Sequence, residues 1–281
     1  MKIFVLCRQN QARSIVISAF LRHHLPEITI YSAGIAAVEN SPIPHSIVAL
    51  CESWGLEIAE FHSTPWEKVH VDVDVDDIVI CADKQVYQIA SETLGSEQLI
   101  NLAEESSLDF LIPKDPAGAS RAVVEQELAK CLVQTQRLLS SHVAGLSQMI
   151  AHAYIPRSEE KIDEAISLMR KNIVASESKK FIILDCNLRA PHPEIWEDSS
   201  DVHTFDEELS LGRVKSGMVL HAAHEFTLWQ KALLSTTWKR FLNTLNQSYK
   251  VNVITPPLYV EGKLSLETLL AISYAESLTV V

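Results

Sequence analysis

Residues 2–14 read Lys2-Ile3-Phe4-Val5-Leu6-Cys7-Arg8-Gln9-Asn10-Gln11-Ala12-Arg13-Ser14. Residues 2–7 form a short apolar, β-prone run, and a helical pattern of apolar residues begins at Ser14. The loop between them joins a strand to a helix N-terminus, so its backbone N–H groups can converge on one point. The sequence therefore predicts an anion-binding loop with Cys7 at one end and Arg13 at the other.

This arrangement suits phosphoryl chemistry. A cysteine that faces a helix N-terminus and a ring of amide donors has its thiolate stabilised, which makes Cys7 a candidate nucleophile. The planar guanidinium of Arg13 can grip two phosphate oxygens and hold the charge that develops during transfer, and a hydrogen bond from Ser14 can stabilise the Cys7 sulfur further. The candidate substrate-binding residues are those of the loop: Arg8, Gln9, Asn10, Gln11, Ala12 and Ser14.

Several motifs along residues 1–145 carry a family resemblance. They are the loop with Asn10, Tyr31-Ser32-Ala33-Gly34, Gly55-Leu56-Glu57-Ile58 leading to His62-Ser63, Asp77-Ile78-Val79-Ile80-Cys81-Ala82-Asp83, and Asp115-Pro116. In their order and approximate spacing, this half of the chain resembles the low-molecular-weight protein tyrosine phosphatases. The resemblance implies a parallel sheet flanked by helices and hydrolysis of a phosphomonoester through a cysteinyl-phosphate.

The resemblance also assigns roles to single residues. Asp115 matches the aspartate that protonates the leaving oxygen and then activates water, and Pro116 favours an extended residue 115 that can aim across the loop. Asn10 stands where the family keeps an asparagine. Ser32 and His62 are expected behind the loop as supporting residues. No metal or organic cofactor is required.

Three departures from the family concern the substrate. Ala117 and Gly118 follow Pro116 where eukaryotic members carry tyrosines, and the segment 35–40 has no aromatic residue to stack on a phenol ring. Arg8 is long and cationic where the family commonly has a small or apolar residue, so it either recognises an acidic substrate or lies in solvent. The expected substrates are a phosphotyrosine protein or a small phosphomonoester.

Two other functions remain open. Arsenate reductases share this fold and place arsenate on the nucleophilic cysteine. Cys81 stands where one relay thiol is expected, but residues 82–89 contain no cysteine, so the form that stays open uses an external thiol, with arsenate as substrate. The second alternative is a non-catalytic phosphate- or phosphoprotein-binding module. Cys51, Cys81, Cys131 and Cys186 are expected to be buried apolar residues.

Alternating patterns predict an α/β fold for the first half. The expected strands cover 2–7, 28–32, 78–82 and 98–102. Four helices are expected: one that starts at 14, one over 44–54 that ends before Gly55, one that starts at about 84, and one over 119–140. We divide the chain into a catalytic domain, 1–145, and an accessory domain, 146–281, of α/β or α+β type.

The second half carries no motif of comparable specificity. The sequence predicts helices at 158–174, 216–245 and 264–276, strands at 180–186 and 251–254, and an acidic solvated loop at 194–208. His221 and His224 are one helical turn apart and form a weak candidate metal pair, without a glutamate general base between them. Cys186, Asn187 and Arg189 follow a strand, but their spacing excludes a second phosphatase loop.

Composition bounds the remaining possibilities. The chain has 281 residues, a formal net charge of -12 and five cysteines. The acidic balance disfavours nucleic acid and anionic membranes as partners, and the odd cysteine count favours a reducing, cytoplasmic location over a disulfide framework. No stretch reaches the roughly 18 uninterrupted apolar residues of a membrane helix.

The alternating aspartates of 72–77 lack the glycine and glutamate of a calcium loop, so they predict a solvated turn. The sequence leaves the oligomeric state undetermined.

Overall fold

The chain divides into two compact units, Met1–Leu146 and Ser147–Val281. The computed structural model describes residues 1–58, 61–104, 108–139, 150–175, 181–185, 203–206, 209–214, 217–222, 250–255, 257–260, 263–264, 268–269, 272 and 275–281. No helix in these stretches has the length and apolar character needed to cross a membrane.

A four-stranded parallel sheet forms the centre of the first unit. Its strands are β1 (Ile3–Cys7), β2 (Ile30–Gly34), β3 (Ile78–Cys81) and β4 (Leu99–Asn101). Their order in the sheet is β2-β1-β3-β4, and all three neighbouring pairs are parallel. The chain changes direction across the sheet between β1 and β3, and open α/β sheets bind ligands at such a point. The loop that follows Cys7 begins there.

Four helices accompany this sheet: α1 (Arg13–His24), α2 (His45–Ser53), α3 (Lys84–Ser91) and α4 (Arg121–Leu139). Gly55, with φ 72°, follows the end of α2, and the Asp83 carboxylate caps α3 by accepting from the Val86 N–H at 2.9 Å. Every residue of β1 is buried, and α1 packs against β1, β2 and α4. The predicted parallel sheet flanked by helices is therefore confirmed, with element ends shifted by one or two residues.

A seven-stranded sheet forms most of the described part of the second unit. Its strands are β5 (Ile150–Ile155), β6 (Phe181–Asp185), β7 (His203–Asp206), β8 (Leu209–Val214), β9 (Gly217–Ala222), β10 (Lys250–Ile254) and β13 (Ala275–Val280). The order is β13-β5-β10-β6-β9-β8-β7. The five strands from β13 to β9 in this order run parallel to one another. Strand β8 pairs antiparallel with β9, and β7 pairs antiparallel with β8. Helix α5 (Ile162–Ala175) follows β5, and β11 (Tyr259–Val260) pairs with β12 (Lys263–Leu264).

Two expectations for this unit were wrong where the structure describes them, and a third was wrong at its ends. The expected helix at 216–245 begins with strand β9, because residues 217–222 pair with β6 on one side and β8 on the other. Strand β7 lies within the expected loop at 194–208. The expected helix at 264–276 is too long at both ends, because Leu264 belongs to β12 and Ala275 begins β13, but the described residues between them, 268, 269 and 272, are helical.

The candidate metal pair and the candidate cysteine segment of this unit receive no support from the structure. His221 lies in β9, not on a helix face, so the one-turn spacing to His224 loses its meaning. His224, Cys186, Asn187 and Arg189 lie outside the described residues.

Candidate active site

Cys7 is held at the end of β1 with two hydrogen-bonding groups at its sulfur. Its Sγ accepts from the Asn10 N–H at 3.2 Å and lies 3.0 Å from the Ser14 Oγ. The residue is only 4% exposed. No side chain caps α1 at Ala12, and the first N–H groups of a helix have no partner within it. The sulfur therefore has one backbone donor and one hydroxyl beside it at the start of a helix, which suits a thiolate.

Asn10 locks the loop in shape. Its backbone has a left-handed φ of 54°, and its side chain is fully buried. The amide Nδ2 donates to the Ser14 Oγ at 2.9 Å and to the Ser32 Oγ, while Oδ1 accepts from the Thr64 N–H at 2.8 Å. An asparagine tolerates this backbone region better than most residues do. Asn10 therefore suits this position both in its backbone conformation and in its side-chain hydrogen bonds. Ser32, expected behind the loop, contacts Asn10 there.

The segment after β2 forms a second wall of backbone bonds around the loop. The Ile35 N–H donates to the Cys7 carbonyl at 3.1 Å, and the Ala36 N–H donates to the Arg8 carbonyl at 2.8 Å. A Cβ at Gly34 would lie within 3.0 Å of loop backbone atoms. Gly34 is therefore required for this close approach.

His62 does not fill the role that the resemblance implied. The residue is exposed, and no hydrogen bond joins its ring to the loop among the described residues. Its neighbours make the contacts: the Ser63 Oγ donates to the Gln9 carbonyl at 2.9 Å, and the Thr64 N–H donates to Asn10. Sequence reasoning chose the residue beside the ones that hold the loop.

Arg13 is buried at the start of α1, 3% exposed, between two carboxylates. Its Nη1 lies 2.8 Å from the Asp83 Oδ2, and its Nη2 lies 3.2 Å from the Asp115 Oδ2. Burial alone would lower the pKa of Arg13, but nearby groups, led by Cys131 and Cys7 and followed by the two carboxylates, raise it overall. The guanidinium therefore stays charged and has a fixed orientation.

Asp83 is the contact to Arg13 that sequence reasoning missed. One carboxylate oxygen caps α3, and the other binds Arg13, 70 positions earlier in the chain. The only signal in the sequence was its place just after β3, since the carboxyl ends of neighbouring parallel strands share one edge of a sheet.

Asp115 approaches from a more open segment. Its side chain is 47% exposed, and its Oδ1 accepts from the Ala117 N–H at 3.1 Å. Glu127 of α4 anchors the residue before it, because its Oε2 accepts from the Lys114 N–H at 2.6 Å and its Oε1 binds the Lys130 Nζ at 2.8 Å. Glu127 carried no signal in the sequence.

A cavity of about 240 Å³ brings the predicted residues together. It is lined by Cys7, Arg8, Gln9, Gln11, Ala12, Arg13, Pro44, Ser46, Ile47, Asp115, Pro116, Ala117, Gly118, Ala119 and Val124. Asn10 and Ser14 support the loop from behind. The segment 35–40 does not line this cavity, and Pro44, Ser46 and Ile47 line it instead. None of the lining residues is aromatic.

The other described cysteines are poor relay thiols. Cys51, Cys81 and Cys131 are fully buried and form no disulfide with one another. Burial raises the pKa of each thiol to about 12. They fit the expected role of small core residues, whereas Cys186 lies outside the described residues.

The aspartate run forms a turn stabilised by its own neighbours. Asp77 accepts from the Lys2 N–H at 2.6 Å and from the Asp74 N–H at 2.9 Å, and the Lys2 Nζ lies 2.9 Å from the Asp74 Oδ2. Across the described residues there is no group of three or more acidic, histidine or cysteine side chains arranged to hold a metal ion.

No protein-family model matches the sequence, and no curated protein matches it. Three phosphatases are among the solved structures similar to this chain. The tyrosine phosphatase Wzb from Escherichia coli K30, solved with sulphate, is 19% identical, with 50% of this chain and 96% of that chain covered at a TM-score of 0.44. The YwlE arginine phosphatase from Geobacillus stearothermophilus is 17% identical over 63% of this chain and 98% of that chain, with a TM-score of 0.42. A low-molecular-weight protein tyrosine phosphatase from T. tengcongensis is 15% identical over 50% of this chain and 99% of that chain, with a TM-score of 0.43.

Proposed function

We propose that the first unit of this protein hydrolyses a phosphomonoester through a cysteinyl-phosphate intermediate. One observation carries the proposal: a buried cysteine sulfur with two hydrogen-bonding groups shares a cavity with a buried arginine, and that arginine is paired with an aspartate at 3.2 Å. Nucleophile, charge clamp and proton carrier thus converge on one small volume.

The first displacement transfers the phosphoryl group to the protein. The Cys7 thiolate attacks phosphorus, and the bond from phosphorus to the ester oxygen breaks. Arg13 and the loop amides hold the three equatorial oxygens. Asp115, in its acid form, gives its proton to the departing oxygen, so that an alcohol leaves and not an alkoxide.

The second displacement restores the protein. Water attacks phosphorus while the Asp115 carboxylate takes its proton, and the bond from sulfur to phosphorus breaks to release inorganic phosphate and the Cys7 thiolate. Asp115 faces water on one side and Arg13 on the other, which suits a group that must release and take up a proton in each cycle.

The family resemblance favours a phosphotyrosine protein as substrate, and the similar structures bear the names of tyrosine and arginine phosphatases. Phosphotyrosine and phosphoarginine peptides therefore both belong in the substrate panel. We expect no strong preference for an aryl ester, because the lining of the cavity offers no ring to stack on.

The decisive experiment measures hydrolysis of 4-nitrophenyl phosphate, without added metal, by the wild-type chain and by Cys7→Ser. We expect activity in the wild type and none in the variant, because serine lacks a thiolate. Cys51→Ala is the matched control, since Cys51 is a buried cysteine that does not line the cavity; it should retain activity.

Two further assays, of arsenate reduction and of phosphate binding, distinguish the alternative functions if no hydrolysis is found. Arsenate is supplied with a small thiol, and arsenite formation without phosphatase activity would replace the hydrolase by an external-thiol reductase. Binding of inorganic phosphate by a chain that is silent in both assays would leave a phosphate-binding module.

A further inference from the structure

A cationic side chain at the candidate site has no role in the two displacements. Arg8 follows the nucleophile, is exposed and lines the cavity. Within the stretches that the structure describes, no carboxylate lies within ion-pair distance of its guanidinium. Arg13, by contrast, binds two carboxylates. Arg8 therefore presents its charge to whatever enters the cavity.

The walls of the cavity offer a substrate little else to bind. Beyond the loop and Asp115, the lining is small or aliphatic: Pro44, Ser46, Ile47, Pro116, Ala117, Gly118, Ala119 and Val124. Such side chains provide no aromatic stacking and limited apolar area. Recognition of the part of the substrate beyond its phosphate must then rely on polar groups, and Arg8 is the charged one that remains.

The charge balance of the loaded site favours the same assignment. A bound phosphate dianion lies against the Cys7 thiolate, while the charge of Arg13 is shared with Asp83. A further anion on the substrate would be repelled unless a second cation met it. A guanidinium suits this task, because its planar donors match a carboxylate or a phosphate.

We propose that Arg8 is a specificity-determining residue that binds a second anionic group of the substrate, a carboxylate or a phosphate close to the ester that is cleaved. The proposal rests on the proposed function, because it concerns the substrate of that same site. The second anion is supplied either by a small phosphorylated acid or by an acidic residue beside a phosphorylated residue of a peptide. The two sources share one chemistry and are separated by the test.

The test uses pairs of compounds that are similar in size and of which only one member carries a second charge. The first pair is 2-phosphoglycolate and ethyl phosphate, and the second is a phosphotyrosine peptide flanked by glutamate and its glutamine counterpart. Affinities of phosphonoacetate and ethylphosphonate, measured by calorimetry, report binding without turnover. The proteins are the wild type, Arg8→Ala, Arg8→Lys and the control Arg157→Ala, which removes an exposed arginine that does not line the cavity.

We expect the wild type to favour the charged member of a pair by about tenfold in kcat/KM and in affinity. Arg8→Ala should reduce this preference to within about twofold, Arg8→Lys should keep part of it, and Arg157→Ala should leave it unchanged. A preference confined to the peptides, or to the small molecules, identifies the source of the anion.

Two results would overturn the assignment of Arg8: an equal wild-type preference within each pair, or an equal loss in Arg8→Ala for charged and uncharged members. If 4-nitrophenyl phosphate is still hydrolysed in that case, the proposed function stands alone. A chain that hydrolyses none of the esters but binds phosphonoacetate more tightly through Arg8 would keep the anion site and lose the phosphatase.

Discussion

The loop after Cys7 and the segment that carries Asp115 line the same cavity but are held in opposite ways. Cys7 and Arg13 are 4% and 3% exposed, and hydrogen bonds from several elements surround the loop. The Asp115 side chain is 47% exposed, and its segment is tied to α4 through the Lys114 N–H and the Leu111 carbonyl. Under the proposed function, the groups that would stabilise charge are thus fixed before substrate arrives, while the residue that would carry the proton keeps contact with water.

The contrast makes the two regions separable by experiment. Damage to the loop should slow all phosphate esters alike, since every substrate presents the same phosphoryl group. Damage to the Asp115 segment should depend on the leaving group, because only a poor leaving group needs a proton as its bond breaks.

Among changes that leave the nucleophile in place, the largest effect is expected from Gly34→Ala. Its Cβ would lie 2.7 Å from the Asn10 N and 2.8 Å from the Arg8 O, and backbone atoms cannot rotate away as a flexible side chain does. We expect the loop to shift and kcat/KM to fall by roughly 10²-fold or more for both alkyl and aryl phosphates. Overpacking of this kind also costs about 1–3 kcal/mol of unfolding free energy.

Gly95→Ala is the matched control for this change. Gly95 has no atom within 4 Å of a new Cβ, so its variant should keep wild-type activity and stability. Full activity of Gly34→Ala would show that the loop tolerates displacement and would remove the contrast between the two regions.

A smaller and selective effect is expected from Asp115→Asn. The amide preserves the size of the side chain and can still accept from Arg13, but its N–H protons are too weakly acidic to be transferred to the leaving oxygen. We expect kcat/KM for ethyl phosphate to fall about 10²-fold and that for 4-nitrophenyl phosphate to fall less than about tenfold. Equal losses for both esters, which the ratio of their kcat/KM values would reveal, would remove Asp115 from the acid role.

The strands and helices of the first unit were predictable because local signals agree there. The fully apolar run of β1, the glycine that follows α2 and the cap of α3 each mark an element end from nearby residues alone. In the second unit β9 was mistaken for a helix, since a short apolar run is consistent with either structure until its neighbours are known. Pairing with β6 and β8 decided the matter, and neither partner lies in the local pattern.

The candidate site divides in the same way. Cys7, Arg13 and Ser14 fall within one loop and one helix start, so their spacing made them visible. The contact from Arg13 to Asp83 spans 70 positions, and the contact from Asn10 to Thr64 spans 54. Asp83 comes near Arg13 because β3 pairs with β1, and Thr64 comes near Asn10 because the segment after α2 packs against the loop. A local sequence pattern contains neither piece of information. His62 was chosen and Ser63 and Thr64 were missed for this reason.

The smallest effect is expected from Glu127→Ala, which loosens the anchor of the Asp115 segment without touching the cavity. Glu127 is 7% exposed and joins the Lys114 N–H to the Lys130 Nζ. Without it the segment loses a charge-assisted hydrogen bond one residue before the acid, so Asp115 should sample more positions. We expect a fall of about fivefold in kcat/KM for ethyl phosphate and an unchanged value for 4-nitrophenyl phosphate.

Glu127→Gln separates positioning from simple loss of stability. Its amide oxygen can still accept from the Lys114 N–H but cannot pair with Lys130, so it should lose stability from the broken ion pair yet retain most of the ethyl phosphate activity. If Glu127→Ala slowed both esters equally, or if Glu127→Gln failed to restore the ratio between them, α4 would stabilise the unit without aiming Asp115. The contact of Glu127 with the Lys114 N–H would then serve only to stabilise the unit, as the hydrogen bonds around the loop do. The loop and the Asp115 segment would differ in exposure but not in how they are held.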